Sequence, residues 1–280
     1  MRDAARSAPC YARAMRRIAR PWLSRIAALG VALGGAGAIT SACSDFSSSG
    51  PPAPDAAPPE ASTGPADAAP PLWDGACTPG AFCDNFERSA PRGLGWDLDL
   101  LAPDGAALML EIPPWSDAGG LALRASCPSD PAGAAAVLFH STDLGSRFGM
   151  SFKISVDAVP DQLILGPAFL GKDSADDSLG IAVGRSTVLY QADGKREGSV
   201  TDLGDITPNT WRRFILEVRR AKGDPSRKGT VFVTVDGTTI QVPLVPPLVP
   251  TSSGASAGIT AAVNAAGNLR VDDFVFFNEP

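Results

Sequence analysis

The residues able to do chemistry are few. His140 is the sole histidine among 280 residues, so a multi-histidine metal centre is impossible and a histidine-dependent triad has one candidate. His140 ends the apolar run Val137-Leu138-Phe139 and reads as a satisfied histidine at a strand end. A serine nucleophile on a strand-to-helix elbow needs Gly-x-Ser-x-Gly, and that pattern is missing. Zinc needs four ligands at defined spacing, which Cys77, Cys83 and Cys127 with one distant histidine do not supply. Asp272 and Asp273 stand out because they sit inside an apolar run, Leu269 to Phe277. With a period of two they face opposite sides, Asp273 sharing the face of Val271, so one carboxylate is half-buried. A buried carboxylate must be paired or ligate a metal. Hard oxygen ligands suit a structural calcium; hydrogen bonding to arginine or backbone amides is the alternative, and no cofactor is required. Trp115, between Pro113-Pro114 and Ser116-Asp117, lies in a loop and is the candidate platform for a sugar ring, with packing as its alternative. Trp96 and Trp211 are expected in the core. The run Asp173, Asp176 and Asp177 reads as a solvated turn, since the EF-hand spacing is absent.

Short strands must position these side chains. Alternation recurs at Ala107 to Ile112, Leu121 to Ser126, Ala134 to His140 and Arg147 to Ala158. It continues at Leu163 to Gly171, Ser178 to Val183, Thr187 to Gln191 and Trp211 to Arg219. Thr230 to Val235 and Thr239 to Val242 flank Asp236-Gly237, a type I′ hairpin signal. Ala257 to Val263 and Leu269 to Phe277 close the chain. No segment sustains a 3.6-residue period over ten positions, and no fixed repeat is visible. About a dozen strands with turn punctuation predict an all-β sandwich or barrel.

The order of several short motifs adds to this. Phe82-Cys83-Asp84-Asn85-Phe86-Glu87 opens the domain, Leu121-Ala122-Leu123-Arg124 follows Gly119-Gly120, and Trp211-Arg212-Arg213-Phe214 leads into Glu217-Val218. The Val235-Asp236-Gly237 hairpin and Val271-Asp272-Asp273-Phe274-Val275-Phe276 complete the series. In this order they resemble the concanavalin A-like, laminin-G-like jelly rolls of exported bacterial proteins, over nearly all of residues 77–280. The resemblance implies two antiparallel sheets, with the opening strand near the closing one and a curved face that often takes glycans. That adjacency would let Asp84 or Glu87 join Asp272 and Asp273 around the calcium. Hydrolases of this superfamily carry Glu-x-Asp-x-x-Glu, which places nucleophile and acid on one face. No such run occurs among the few glutamates here. Lyases of the fold rely on His, Arg, Gln and Tyr clusters, for which His140 and Tyr190 are the scarce material.

The first 43 residues are of another kind. Seven arginines from Arg2 to Arg25 precede an uncharged stretch, Ile26 to Ile39. These 14 residues fall short of the ~20 that span a bilayer and form a secretory signal. Ser41-Ala42-Cys43 resembles a bacterial lipobox, with Thr40 where leucine is usual. Cys43 is then the acylated anchor in a lipid bilayer, and Ser44 after it favours the outer membrane. Ser44 to Leu72 holds eight prolines, and 22 of its 29 residues are Pro, Ala, Ser or Gly, a spacer that cannot form a core. The expected division is therefore 1–42 signal, 43–76 disordered tether and 77–280 sandwich. Removing seven Arg and one Asp with the signal leaves 17 basic against 29 acidic residues, a balance that excludes a nucleic-acid partner. An oxidising compartment permits a disulfide. Cys77–Cys83 is favoured, and Cys83–Cys127 is the alternative. The expected function is a non-catalytic surface lipoprotein, taken as monomeric, that binds glycan or another envelope component. The alternative is a diverged polysaccharide hydrolase or lyase.

Overall fold

The structure, a computed structural model, describes residues 72–279 except 94, 116–119, 132, 172–177, 193–198, 221–228, 246–252 and 263–264. The signal, Cys43, most of the tether and the Asp173–Asp177 turn lie outside the described residues. Among the described residues there are fifteen strands and no helix. One sheet contains β1 (Phe82–Asp84), β3 (Ala107–Glu111), β4 (Ala122–Cys127), β6 (Arg147–Val156) and β11 (Arg212–Arg220). It is completed by β12 (Gly229–Val235), β13 (Thr238–Pro243) and β15 (Gly267–Glu279). Its order is β13-β12-β11-β6-β15-β4-β3, with β1 pairing β15. The second sheet contains β2 (Leu98–Ala102), β5 (Ala134–Thr142), β7 (Ile164–Leu170), β8 (Ser178–Val183), β9 (Ser186–Ala192), β10 (Ser199–Asp205) and β14 (Ser253–Ala262). Its order is β10-β9-β8-β7-β14-β5-β2. All pairings are antiparallel, and the chain is a sandwich of jelly-roll kind. The opening and closing strands are neighbours, with Phe82 opposite Phe276.

The core lies between the sheets and follows the alternation of the strands. On β6, Phe148, Met150, Phe152, Ile154 and Val156 point inward and are buried. On β11, Phe214, Leu216 and Val218 do the same. Phe152 stacks between Phe214 and Phe274, and Phe148 meets Phe169 of the other sheet edge-on at 4.9 Å. Burying each such ring is worth roughly 1.5–3 kcal/mol. The hairpin at Asp236-Gly237 has positive φ at both residues, 48° and 89°, as a type I′ turn requires. β2 and β10, each an outer strand of its sheet, escape a sequence reading. The Ser-Val-Thr-Asp-Leu-Gly-Asp run of β10 carries no apolar face strong enough to announce itself.

The outward faces of the two sheets differ. That of the seven-stranded sheet carries apolar Phe139, Leu165, Leu170, Val188 and Tyr190. That of the eight-stranded sheet carries Ser151, Lys153, Arg213, Glu217, Arg219 and Arg270, opposite in register to the buried rings. Near its middle β15 bulges between Asp272 and Val275, and Asp273 takes φ 49°. A bulge breaks the period of two. It decides which of the two aspartates is half-buried: Asp272 is, and Asp273 is exposed.

Candidate functional site

On the outer face of the eight-stranded sheet, beside this bulge, lies a cleft of about 530 Å³. Its floor includes Ser151 and Lys153 of β6, Arg213 of β11 and Asp273 of β15. Gly75, Cys77 and Cys83 form one wall, continued by Asp84 and Asn85. Alternation along β6 and β11 turns Lys153 and Arg213 outward, because their neighbours Phe152 and Phe214 are held in the core. Lys153 Nζ pairs with Asp273 at 2.6 Å. Arg213 Nη2 donates to the Asp74 carbonyl at 3.0 Å.

Asp272 sits opposite Lys153 in register. Burial is the main reason its carboxyl is pushed up from the ordinary 3.8 to about 6. The negative charges of Asp273 and Glu87 add to that push, while the Asp273 amide and the Lys153 ammonium oppose it. A carboxyl poised near neutrality beside the Lys153 cation is equipped to move a proton.

The four carboxylates assigned to a calcium do not converge. Asp84 accepts from Arg88, from the Phe86 amide at 2.8 Å and from Trp96 Nε1 at 2.5 Å. Glu87 Oε1 accepts from the Leu121 amide at 2.6 Å, tying the opening segment to the start of β4. Asp273 goes to Lys153, and Asp272 accepts from the Asp273 amide at 2.8 Å. Among the described residues no group of three or more His, Cys, Asp or Glu is placed to hold a metal ion. Hydrogen bonding is thus what Asp84 and Glu87 do here.

Trp115 is half-buried, and the guanidinium of Arg270 lies 4.3 Å from its ring centroid. One ring face is therefore taken by a cation and is closed to a sugar. Beneath it Arg270, 2% exposed, binds Glu111 at 2.5 Å and also Asp157, and Arg124 bridges the same two acids at 3.1 and 3.2 Å. Trp96 is in the core, and Trp211 is half-buried. Cys77 and Cys83 form a disulfide. Cys127 is a buried free thiol, which burial pushes up to about 12 and makes inert.

His140 lies at the sandwich rim. It stacks on Phe82 at 4.5 Å, and its Nδ1 donates to the Gly95 carbonyl at 2.7 Å. Tyr190 is on the outward apolar face of the seven-stranded sheet. Four strand steps separate β5 from β9 in the sheet order, about 19 Å at ~4.8 Å per step. The two residues cannot serve one reacting centre.

A second charged cluster went unread in the sequence. Glu217 is 2% exposed and accepts from Arg147 Nε at 2.8 Å, Arg219 Nε at 2.6 Å and the Trp73 amide at 2.7 Å. Burial alone would raise its pKa, but these donors overcome it and hold the carboxyl low. Trp73 also packs on Phe277 with ring centroids 4.4 Å apart. Trp73 and Asp74, assigned to the tether from composition, are thus laid on the sheet. The only available signal was the isolated tryptophan after a run of prolines.

These features define a jelly-roll sandwich with a polar cleft on its eight-stranded sheet. No protein-family model matches the sequence, and no curated protein matches it. Solved structures do share the fold. Alginate lyase Aly36B is 12% identical with a TM-score of 0.48, over 72% of this chain and 98% of that one. Alginate lyase vAL-1 from Chlorella virus is 12% identical with a TM-score of 0.46, over 66% and 93%. Alginate lyase A1-II′, of polysaccharide lyase family 7, is 11% identical with a TM-score of 0.43, over 59% and 82%. At such identities the likeness is one of fold. These similar structures are alginate lyases, and the expected non-catalytic binder is withdrawn.

Proposed function

We propose that the chain is a diverged polysaccharide lyase whose site is the cleft beside the β15 bulge. The carrying observation is the conjunction of Lys153 and Arg213 in that cleft with the neighbouring Asp272 carboxyl near pH 6. Elimination from a uronate needs a cation against the sugar carboxylate, which acidifies the adjacent C–H. It also needs a base for that proton. As the proton leaves, its electron pair forms a carbon–carbon double bond, the glycosidic C–O bond breaks, and the leaving oxygen takes a proton from solvent water. Lys153 and Arg213 would supply the cations and Asp272 the base. Hydrolysis is favoured less. It needs two carboxyls free to flank one bond, and Asp84 on the cleft wall is already engaged by Arg88 and Trp96.

Incubation with a panel of acidic and neutral polysaccharides tests this. Ultraviolet-absorbing unsaturated ends are expected from acidic polymers alone. Reducing ends without unsaturation would favour hydrolysis, and no turnover of any acidic polymer overturns the enzyme reading.

We further infer an exported lipoprotein, acylated at Cys43 and held off the membrane by the proline-rich stretch. Cys43→Ala is expected to move the protein from the membrane to the soluble fraction on cell fractionation. Continued membrane attachment would count against the anchor.

A further inference from the structure

We propose that residues 72–81 are a movable cover on the eight-stranded sheet, latched by the Cys77–Cys83 disulfide, and that reducing this bond lengthens the cleft. The cover forms a cleft wall through Gly75 and Cys77, beside Cys83 of β1. It is closely fitted. Gly75 is buried with φ +81°, and a Cβ there would stand 2.7 Å from Ser151 Oγ and 2.9 Å from Arg213 Nη2.

The fit nevertheless rests on few holds. Trp73 contacts Phe277 and Glu217, and Asp74 accepts from Arg213. Leu72, Asp74 and the run Ala76 to Gly80 are exposed. At the other end Cys83 is fixed in β1, opposite Val275 of β15. The disulfide is what ties Cys77 to that fixed strand. Without it the segment hangs from Phe82, and the contacts of Trp73, Asp74 and Gly75 must offset its ordering entropy. Both cysteines are exposed, so a dithiol reaches the sulfurs. The dithiol is oxidised to its own disulfide, and its two hydrogens pass to Cys77 and Cys83.

Lifting the cover bares the Phe277 ring, Ser151 Oγ and Arg213, with Arg147 and Arg219 beside Glu217. This strip continues the cleft across β15, β6 and β11. That the strip receives further sugar units rests on the proposed reading of the cleft. The movement itself does not.

Amide hydrogen exchange of the full chain, with and without dithiothreitol, tests the cover. Reduction is expected to speed exchange at Trp73 to Cys77 by about tenfold or more while β6 and β11 keep their protection. Cys77→Ser should show the same pattern with no reductant. Unchanged exchange at Trp73 to Cys77 overturns the proposal. So does loss of protection in β6 and β11, which would make the disulfide a staple of the whole fold. Cleavage of a long acidic polysaccharide, measured in parallel, is expected to quicken on reduction. An opened cover with an unchanged cleavage rate overturns its control of the cleft. An opened cover with no cleavage in either state sinks the enzyme reading and leaves the cover standing.

Discussion

Asp272→Asn is expected to lower cleavage of an acidic polysaccharide by about 100-fold or more, the usual worth of a positioned proton-transfer group. The loss should fall in kcat, since Lys153 and Arg213 still hold the sugar. In the wild type the rate should climb with pH through about 6, as Asp272 gives up its proton, and this acid limb should vanish in the variant. Stability changes in the opposite sense. The Asp272 pKa is higher folded than unfolded, so the native chain holds this proton more tightly. Its contribution is complete below 3.8 and is lost as the pH rises to about 6. Above that pH the asparagine variant should melt higher than the wild type. Melting curves across this range check the burial, and initial rates check the role. A variant that cleaves as fast as the wild type removes Asp272 from the mechanism.

Glu217→Gln should be among the most destabilising single changes to the domain that leave its shape intact. The carboxylate takes three donors, Arg147, Arg219 and the Trp73 amide, at a position 2% exposed. An amide presents only one acceptor oxygen and turns an N–H₂ group toward a donor. Breaking a buried pair from one side costs about 3–5 kcal/mol. Arg147 keeps Glu279 at 3.3 Å, so the lower figure applies, a fall of roughly 10 °C in Tm for a domain of this size. The damage should spread to the Trp73 amide, whose exchange would quicken. An unchanged Tm would show that the cluster adds nothing net to stability. Because its pKa is held low, Glu217 contributes stability above the unfolded carboxylate range and loses it as the pH falls. Its pH dependence is thus opposite to that of Asp272, and the two variants separate the slopes.

How far such features were legible depends on the range of the interaction behind each. Arg147 to Val156 and Trp211 to Arg219 announce themselves, because alternate residues must face a core and the period is local. The Asp236-Gly237 turn is local too, since both residues must take positive φ. Which of Asp272 and Asp273 is half-buried stayed open, because a bulge in the pairing with β6 shifts the face by one residue. No periodicity of a single strand contains that shift. Trp115 looked exposed from its neighbouring prolines, yet Arg270, 155 positions later, lies under its ring. Trp73 looked like tether by composition, although its partners Glu217 and Phe277 come from the other end of the chain.

The amino-acid sequence alone therefore determined the secondary structure class and the positions of most strands. Each follows from hydrophobic period and turn chemistry within about ten residues. Only the tertiary structure decided which carboxylates are buried, which tryptophan faces are open, and that a cleft forms where the first and last strands meet. Those outcomes depend on register between strands and on charges brought together across more than a hundred residues. There, one residue of slip exchanges a buried face for an exposed one.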